Sequence, residues 1–251
     1  MTDSGLTVSN FTSGLALAGL ALTTQLSQAQ PLLWGYSPAD PAPYVIVQNN
    51  DLQAGLTHDI GIEVAAVVER DVIFVATPNN RIEESLANGR INIICNTQPT
   101  WLGSPTSLLW TKSLYEDADV IITRLDTPAP ASLGQLKGAI VGTTQGYHYS
   151  PQATLAFEQQ LITRHDVRDL PTRLKMLERG RLDAAIDLRR AVKHLLPTGQ
   201  TSFRISNWAV ETFSLQCAIT NPTEDNSQRL AQSIDQMIED GRMQRIVQRF
   251  D

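Results

Sequence analysis

Asn96, Thr97 and Gln98 stand together at the end of the apolar run Ile91 to Cys95, with Pro99 and Trp101 just behind them. Two amides and a hydroxyl in three positions supply donors and acceptors that suit a neutral polar ligand. Trp101, Tyr36 and Tyr44 add flat faces on which a ring, a sugar or a cation can stack. Two readings stand: either the polar trio and Trp101 face a ligand, or Asn96 and Thr97 cap the next turn while Trp101 packs in the core. Further along, Thr143-Thr-Gln145-Gly146-Tyr147-His148-Tyr149 leads into a helix, where free N–H groups and the helix dipole favour an anion or a carbonyl. Tyr147 and His148 read alternatively as a surface turn. Asp187 is either a ligand contact or a salt-bridge partner of Arg189 or Arg190. His58 and Asp59 read as cap and solvent-facing residues of a helix start.

These residues point to binding and not to bond-making. The sequence holds no G-x-S-x-G, no H-E-x-x-H and no phosphate-cradling or dinucleotide glycine motif, and His58, His148, His165 and His194 are scattered. Neither a metal nor a cofactor is implied. A net charge of -6 argues against nucleic acid or an anionic membrane as partner. Cys95 and Cys217 are too few for a disulfide scaffold and lack metal-type spacing. Residues 1–29 read as a secretory signal: Gly14 to Leu22 is a short apolar run and Ser27-Gln28-Ala29 a small-x-small cleavage site, which implies export to the periplasm. The signal is atypical, because the first Lys or Arg is Arg70. The alternative is an N-terminal helix; the run is shorter than the about 20 residues that span a bilayer.

The elements that must position these groups alternate along the chain. Leu32–Tyr36, Val72–Ala76, Ile91–Cys95, Val120–Thr123, Ala139–Thr143, Ala184–Asp187 and Ser214–Ile219 are short and apolar, as buried strands are. Asp59–Glu69, Ile82–Asn88, Pro151–Ile162, Thr172–Glu178 and Ser227–Glu239 carry apolar residues at helical spacing. This is an α/β pattern with mainly parallel sheets. Leu86-Ala-Asn-Gly89-Arg-Ile-Asn-Ile-Ile94 and Leu177-Glu-Arg-Gly180-Arg-Leu-Asp-Ala-Ala185 each read as a helix end, a glycine in the left-handed position and a strand. Gly35 and Gly142 each read as closing a strand ahead of a helix. Two pairs in the same order predict two similar lobes with a site in the cleft between them.

The chain resembles the bacterial extracellular solute-binding proteins of family 3, the amino-acid type. The resemblance rests on Gly55-Leu-Thr-His-Asp59-Ile-Gly-Ile-Glu, on the two glycine turns above, on Leu133-Gly-Gln-Leu-Lys-Gly-Ala-Ile-Val-Gly142-Thr-Thr-Gln-Gly146 and on Ile238-Glu-Asp-Gly241-Arg-Met-Gln-Arg-Ile. It implies two α/β lobes of the type 2 periplasmic-binding fold, joined by a two-strand hinge: lobe 1 over residues 30–117 and 212–251, lobe 2 over 118–211. It further implies a monomer that closes on a small-molecule ligand and presents it to an ABC transporter permease or, alternatively, to a membrane sensor. Dehydratases and lyases on the same fold are a third, weaker reading. The resemblance places the strand of Cys95 beside that of Cys217, either bridged or as two buried thiols. Two departures matter. The arginine that grips a ligand carboxylate in this family falls on Ser104, and the acid for the amino group falls on Leu188, with Asp187 one place early. Charge-assisted hydrogen bonds contribute about 1.5 to 3 kcal/mol each. The expected ligand is therefore a small polar or ring-bearing solute and not an ordinary α-amino acid.

Overall fold

The computed structural model describes residues 30–196, 202–221 and 223–251, besides 1, 2 and 5; the expected signal run from Gly14 to Ala29 lies outside the described residues. The chain begins lobe 1 with β1 (Leu32–Tyr36), a hairpin of β2 (Ile46–Gln48) and β3 (Asp51–Ala54), then α1 (Leu56–Val67), β4 (Val72–Ala76), α2 (Ile82–Ala87) and β5 (Ile93–Thr97). β1 lies between β4 and β5 and runs parallel to both. After β6 (Leu109–Trp110), β7 (Tyr115–Arg124) carries the chain into lobe 2. There β8 (Ile140–Thr144), α3 (Pro151–Glu158), β9 (Thr163–Val167), α4 (Leu170–Glu178), β10 (Ala184–Leu188) and α5 (Arg189–Leu195) repeat the parallel arrangement, with β8 between β9 and β10. β11 (Phe203–Ile219) returns to lobe 1, where α6 (Asp225–Glu239) and α7 (Arg242–Val247) pack.

β7 and β11 are the two connecting strands. They pair antiparallel from Tyr115 opposite Leu215 to Phe203 opposite Arg124, with register breaks between Ile205 and Ala209 and between Ala209 and Glu211. The sheet order β4-β1-β5-β11-β7-β10-β8-β9 therefore runs through both lobes. Side chains alternate across it as the period of two requires. Val120 and Ile122 join the main core while Ile121 faces the second cluster with Ala184 and Ile186; Ile93 and Cys95 face the main core while Ile94 packs with Ile82, Leu86 and Ala218.

The repeat predicted from the glycine pairs is visible in packing. Gly89 and Gly180 adopt φ of +73° and +66° after α2 and α4, as a left-handed helix stop needs. Gly35 and Gly142 lie inside β1 and β8 and not at their ends. A Cβ on Gly35 would sit 2.6 Å from Ile91 Cδ1, and one on Gly142 would sit 2.6 Å from Leu182 Cδ1. Ile91 and Leu182 follow the two turn glycines by the same two positions, so each lobe packs one aliphatic side chain against a bare strand backbone.

Several strands differ from the sequence expectation. The runs around Val120 and Ser214 are parts of strands of 10 and 17 residues, whose remaining portions mix polar and apolar residues and pair with each other at the hinge. The β2–β3 hairpin and β9 carry too few apolar residues to announce themselves; Thr163 to Asp166 is exposed at the sheet edge. Cys95 on β5 and Cys217 on β11 are bridged, with Cα atoms 3.9 Å apart on neighbouring antiparallel strands.

Candidate functional site

The cleft lies where β1, β5, β8 and β10 end, the position at which parallel sheets present loops to ligands. Its lobe 1 wall comes from three loops, one of them the turn after β4 that carries Asn79. After β1 the chain turns at Ser37, whose carbonyl accepts from Asp40 N–H at 3.1 Å, and this turn aims Asp40 into the cleft. After β5, Asn96 takes φ of +57°, a conformation that Asn tolerates, and redirects the chain toward Trp101. Its amide is spent within the protein: Nδ2 donates to Thr57 Oγ1 at 2.6 Å, and Tyr115 Oη donates to Oδ1 at 2.5 Å. Asn96 thus ties α1 to the hinge. Trp101 is half-buried, with its ring 5.2 Å from Phe213 on β11.

The lobe 2 wall follows β8. Gln145 and Gly146 turn the chain, and the Tyr147 ring reaches the Trp101 ring at 5.8 Å, edge to face, so the two lobes touch. Tyr147 Oη donates to Asp119 Oδ1 at 3.3 Å. Tyr149 Oη accepts from Thr144 N–H at 2.7 Å, and Ser150 Oγ accepts from Ala153 N–H at 3.2 Å at the start of α3. The N–H groups expected to welcome an anion are in part already taken.

Asp187 is buried at the end of β10 and ion-paired with Arg173 of α4, which also donates to the carbonyls of Thr143 at 3.2 Å and Val167 at 3.1 Å. Its partner is neither Arg189 nor Arg190, the pairings weighed from sequence: Arg190 instead meets Asp117 at 3.3 Å and Asp251 at 2.7 Å. Burial pushes the Asp187 carboxyl up and Arg173 pulls it partly back. Asp119 is 1 % exposed, and burial, then Asp187 and Glu211, hold its carboxyl well above the usual range. Asp40 is raised to about 7, first by burial. Asp40 is half-buried and lines the cleft.

Two adjoining cavities fill the cleft, ≈ 60 Å³ lined by Ser37, Asp40, Asn79, Thr97, Trp101 and Tyr147 among others, and ≈ 10 Å³ lined by Asp40, Asn79, Asp119, Tyr147, Tyr149 and Asp187 among others. Both are far below the roughly 300 Å³ of an ordinary ligand site, so a solute enters only when the lobes part or the Trp101 and Tyr147 rings swing aside. Larger hollows of ≈ 220, ≈ 390 and ≈ 460 Å³ lie at the hinge, near the start of α6 and beside α2. They open broadly to solvent and hold none of these buried carboxylates.

Of the residues singled out by sequence, Asn96, Thr97, Trp101, Tyr147 and Asp187 meet in the cleft. Tyr36 and Tyr44 do not; they are 3 % and 1 % exposed in the lobe 1 core. Gln98 lies outside the cavity walls and its carbonyl accepts from Trp101 N–H at 3.1 Å, while Gln145 and Gly146 are exposed in the turn. Ser104 is exposed on the ≈ 460 Å³ hollow. Sequence reading missed Asp40, Asn79, Asp119, Tyr149 and Arg173. Two of these carried a signal: Asp119 is a charge inside an apolar strand, and Arg173 a charge inside the buried stripe Leu170, Leu174, Leu177.

Residues 34–250 match the profile of the bacterial extracellular solute-binding proteins, family 3. No curated protein matches by sequence. An ancestral arginine-binding protein bound to arginine shares the fold with TM-score 0.73 at 16 % identity, covering 89 % of this chain and 99 % of that one. The GluR0 ligand-binding core in complex with L-glutamate gives 0.72 at 13 % identity, covering 89 % and 99 %. The ancestral amino acid-binding protein AncCDT-1, a precursor of cyclohexadienyl dehydratase, gives 0.70 at 17 % identity, covering 88 % and 94 %. At such identities the likeness is one of fold, but the profile spans nearly the whole described structure, and the chain belongs to the bacterial extracellular solute-binding proteins of family 3.

Proposed function

We propose that this protein is an exported carrier that closes its lobes, 30–117 with 212–251 against 118–211, on a small polar or ring-bearing solute and presents it as a monomer to an ABC transporter permease. The carrying observation is the Trp101–Tyr147 contact, an aromatic pair supplied by opposite lobes and lining the cleft. A solute that parts the two rings keeps contact with both lobes, which is how a ligand comes to favour one conformation. No arginine occurs between Arg90 and Arg124, and Ser104 is turned away from the cleft, so the lobe 1 wall has no guanidinium for a ligand carboxylate. The match to a family of solute-binding proteins supports binding and release without chemistry.

The test has two steps. Native mass spectrometry of protein purified without denaturant identifies any retained solute, and calorimetric titration then compares wild type with Trp101→Ala. The variant is expected to remain folded and to lose more than about 1 kcal/mol of affinity. Unchanged affinity would remove the indole from the site and, with it, the closure described here.

A further inference from the structure

Resting on that reading, we infer that the solute is a cation, a protonated amine or guanidinium on an apolar or aromatic body, and that it bears no carboxylate. Asp40 on the loop after β1 and Asp119 on β7 reach the same small cavity from different elements, beside Asn79, Tyr147, Tyr149 and Asp187. Asp187 has its counter-ion in Arg173. Neither Asp40 nor Asp119 is in an ion pair among the described residues. Asp119 is the more telling of the two. Its Oδ2 is buried without a hydrogen-bond partner, and its Oδ1 meets only the Tyr147 hydroxyl. Buried polar atoms are nearly always satisfied, and an orphan at a cavity wall marks a place where something else is to be held.

The rest of the cleft fits the same occupant. Trp101 and Tyr147 supply ring faces, which attract cations. Toward an anion the cleft offers little: Thr144 N–H is bonded to Tyr149, and Arg173, which does not line either cavity, gives Nη1 to two carbonyls and Nη2 to Asp187 and keeps only Nε unpaired. Burial pushes both unpaired carboxyls up, Asp40 to about 7, so each is costly to ionise until a cation takes the place of its proton.

Calorimetric titration of the full chain with matched probes decides the question. Phenethylamine, L-phenylalanine and 2-phenylethanol share one ring and differ in charge; agmatine and L-arginine differ in the carboxylate. The expected result is that phenethylamine or agmatine binds at least about 10-fold more tightly than its carboxylate-bearing counterpart. Asp119→Asn and Asp40→Asn should each weaken that binding by about 10- to 100-fold. Asp40 is in a loop, so its variant carries the test should Asp119→Asn misfold. A zwitterion or the neutral alcohol binding most tightly, or an amine indifferent to both substitutions, overturns the inference and leaves the carrier reading intact. Binding of no probe, together with no solute retained on purification, overturns both.

Discussion

A carboxyl group in water titrates at about 4. Asp40 titrates at about 7 because burial between the lobes penalises its charge, with Asp187 adding to the shift and the Ser37 hydroxyl opposing it. In the folded protein the group binds its proton more tightly than in the unfolded chain, so its contribution to stability is present at low pH and is lost as pH rises through about 7. Asp117, Asp119 and Asp187 shift in the same direction, each chiefly by burial. Asp169 and Asp240 shift the other way, but at exposed helix ends where solvent screens them. The ligand-free protein should therefore melt at higher temperature at pH 5 than at pH 8, with Asp40 contributing at most about 3 kcal/mol of the difference, from the interval between pH 5 and about 7. Asp40→Asn should flatten the profile. Calorimetric melting temperatures across that range check this, and a profile that rises with pH would contradict it.

Among the elements, α4 shows what a helix can position. Its buried stripe carries Leu170, Leu174 and Leu177 at helical spacing with Arg173 among them, so packing of the leucines fixes the guanidinium under the end of β10. Arg173→Met would leave Asp187 buried without a counter-ion, and the expected cost is about 3 to 5 kcal/mol. Adding Asp187→Leu should recover most of it; denaturant midpoints of the single and double variants measure both. The same helix shows where sequence reading reaches its limit. The leucine spacing alone gives α4, and short apolar runs give β1, β4 and β10 to within a residue; α4 buries one stripe, β1 and β10 bury both faces, and β4 is apolar although it is only half-buried at the sheet edge. β9 and the β2–β3 hairpin have no such pattern. At the cleft, residue type was legible but commitment was not. Asn96 was recognisable as a hydrogen-bonding group, yet Thr57 and Tyr115, which take up its amide, are 39 and 19 positions away. Tyr36 and Tyr44 look like exposed platforms in sequence but pack inward, Tyr36 on β1, which is covered on both faces, and Tyr44 from the turn before β2 into the same core.

At the scale of the whole molecule, the two lobes share one core. Leu32 and Trp34 of lobe 1 and Leu174 and Ala185 of lobe 2 belong to a single buried cluster, continuous through Val120 and Leu215 on the connecting strands. The Cys95–Cys217 bridge fastens β5 to the second of those strands. Replacing both cysteines by alanine should cost about 2 to 5 kcal/mol, read as a lower denaturant midpoint, and reduction of the wild type should shift it similarly. An unchanged midpoint would mean that strand pairing alone holds this junction. The bridge also alters how the molecule responds to a protease. It joins positions 122 residues apart, and the segment it encloses contains β6 to β10 and β11 as far as Gln216, hence the whole lobe 2 sheet. A single cut anywhere in that segment leaves one covalent molecule, which separates into two fragments only on a reducing gel.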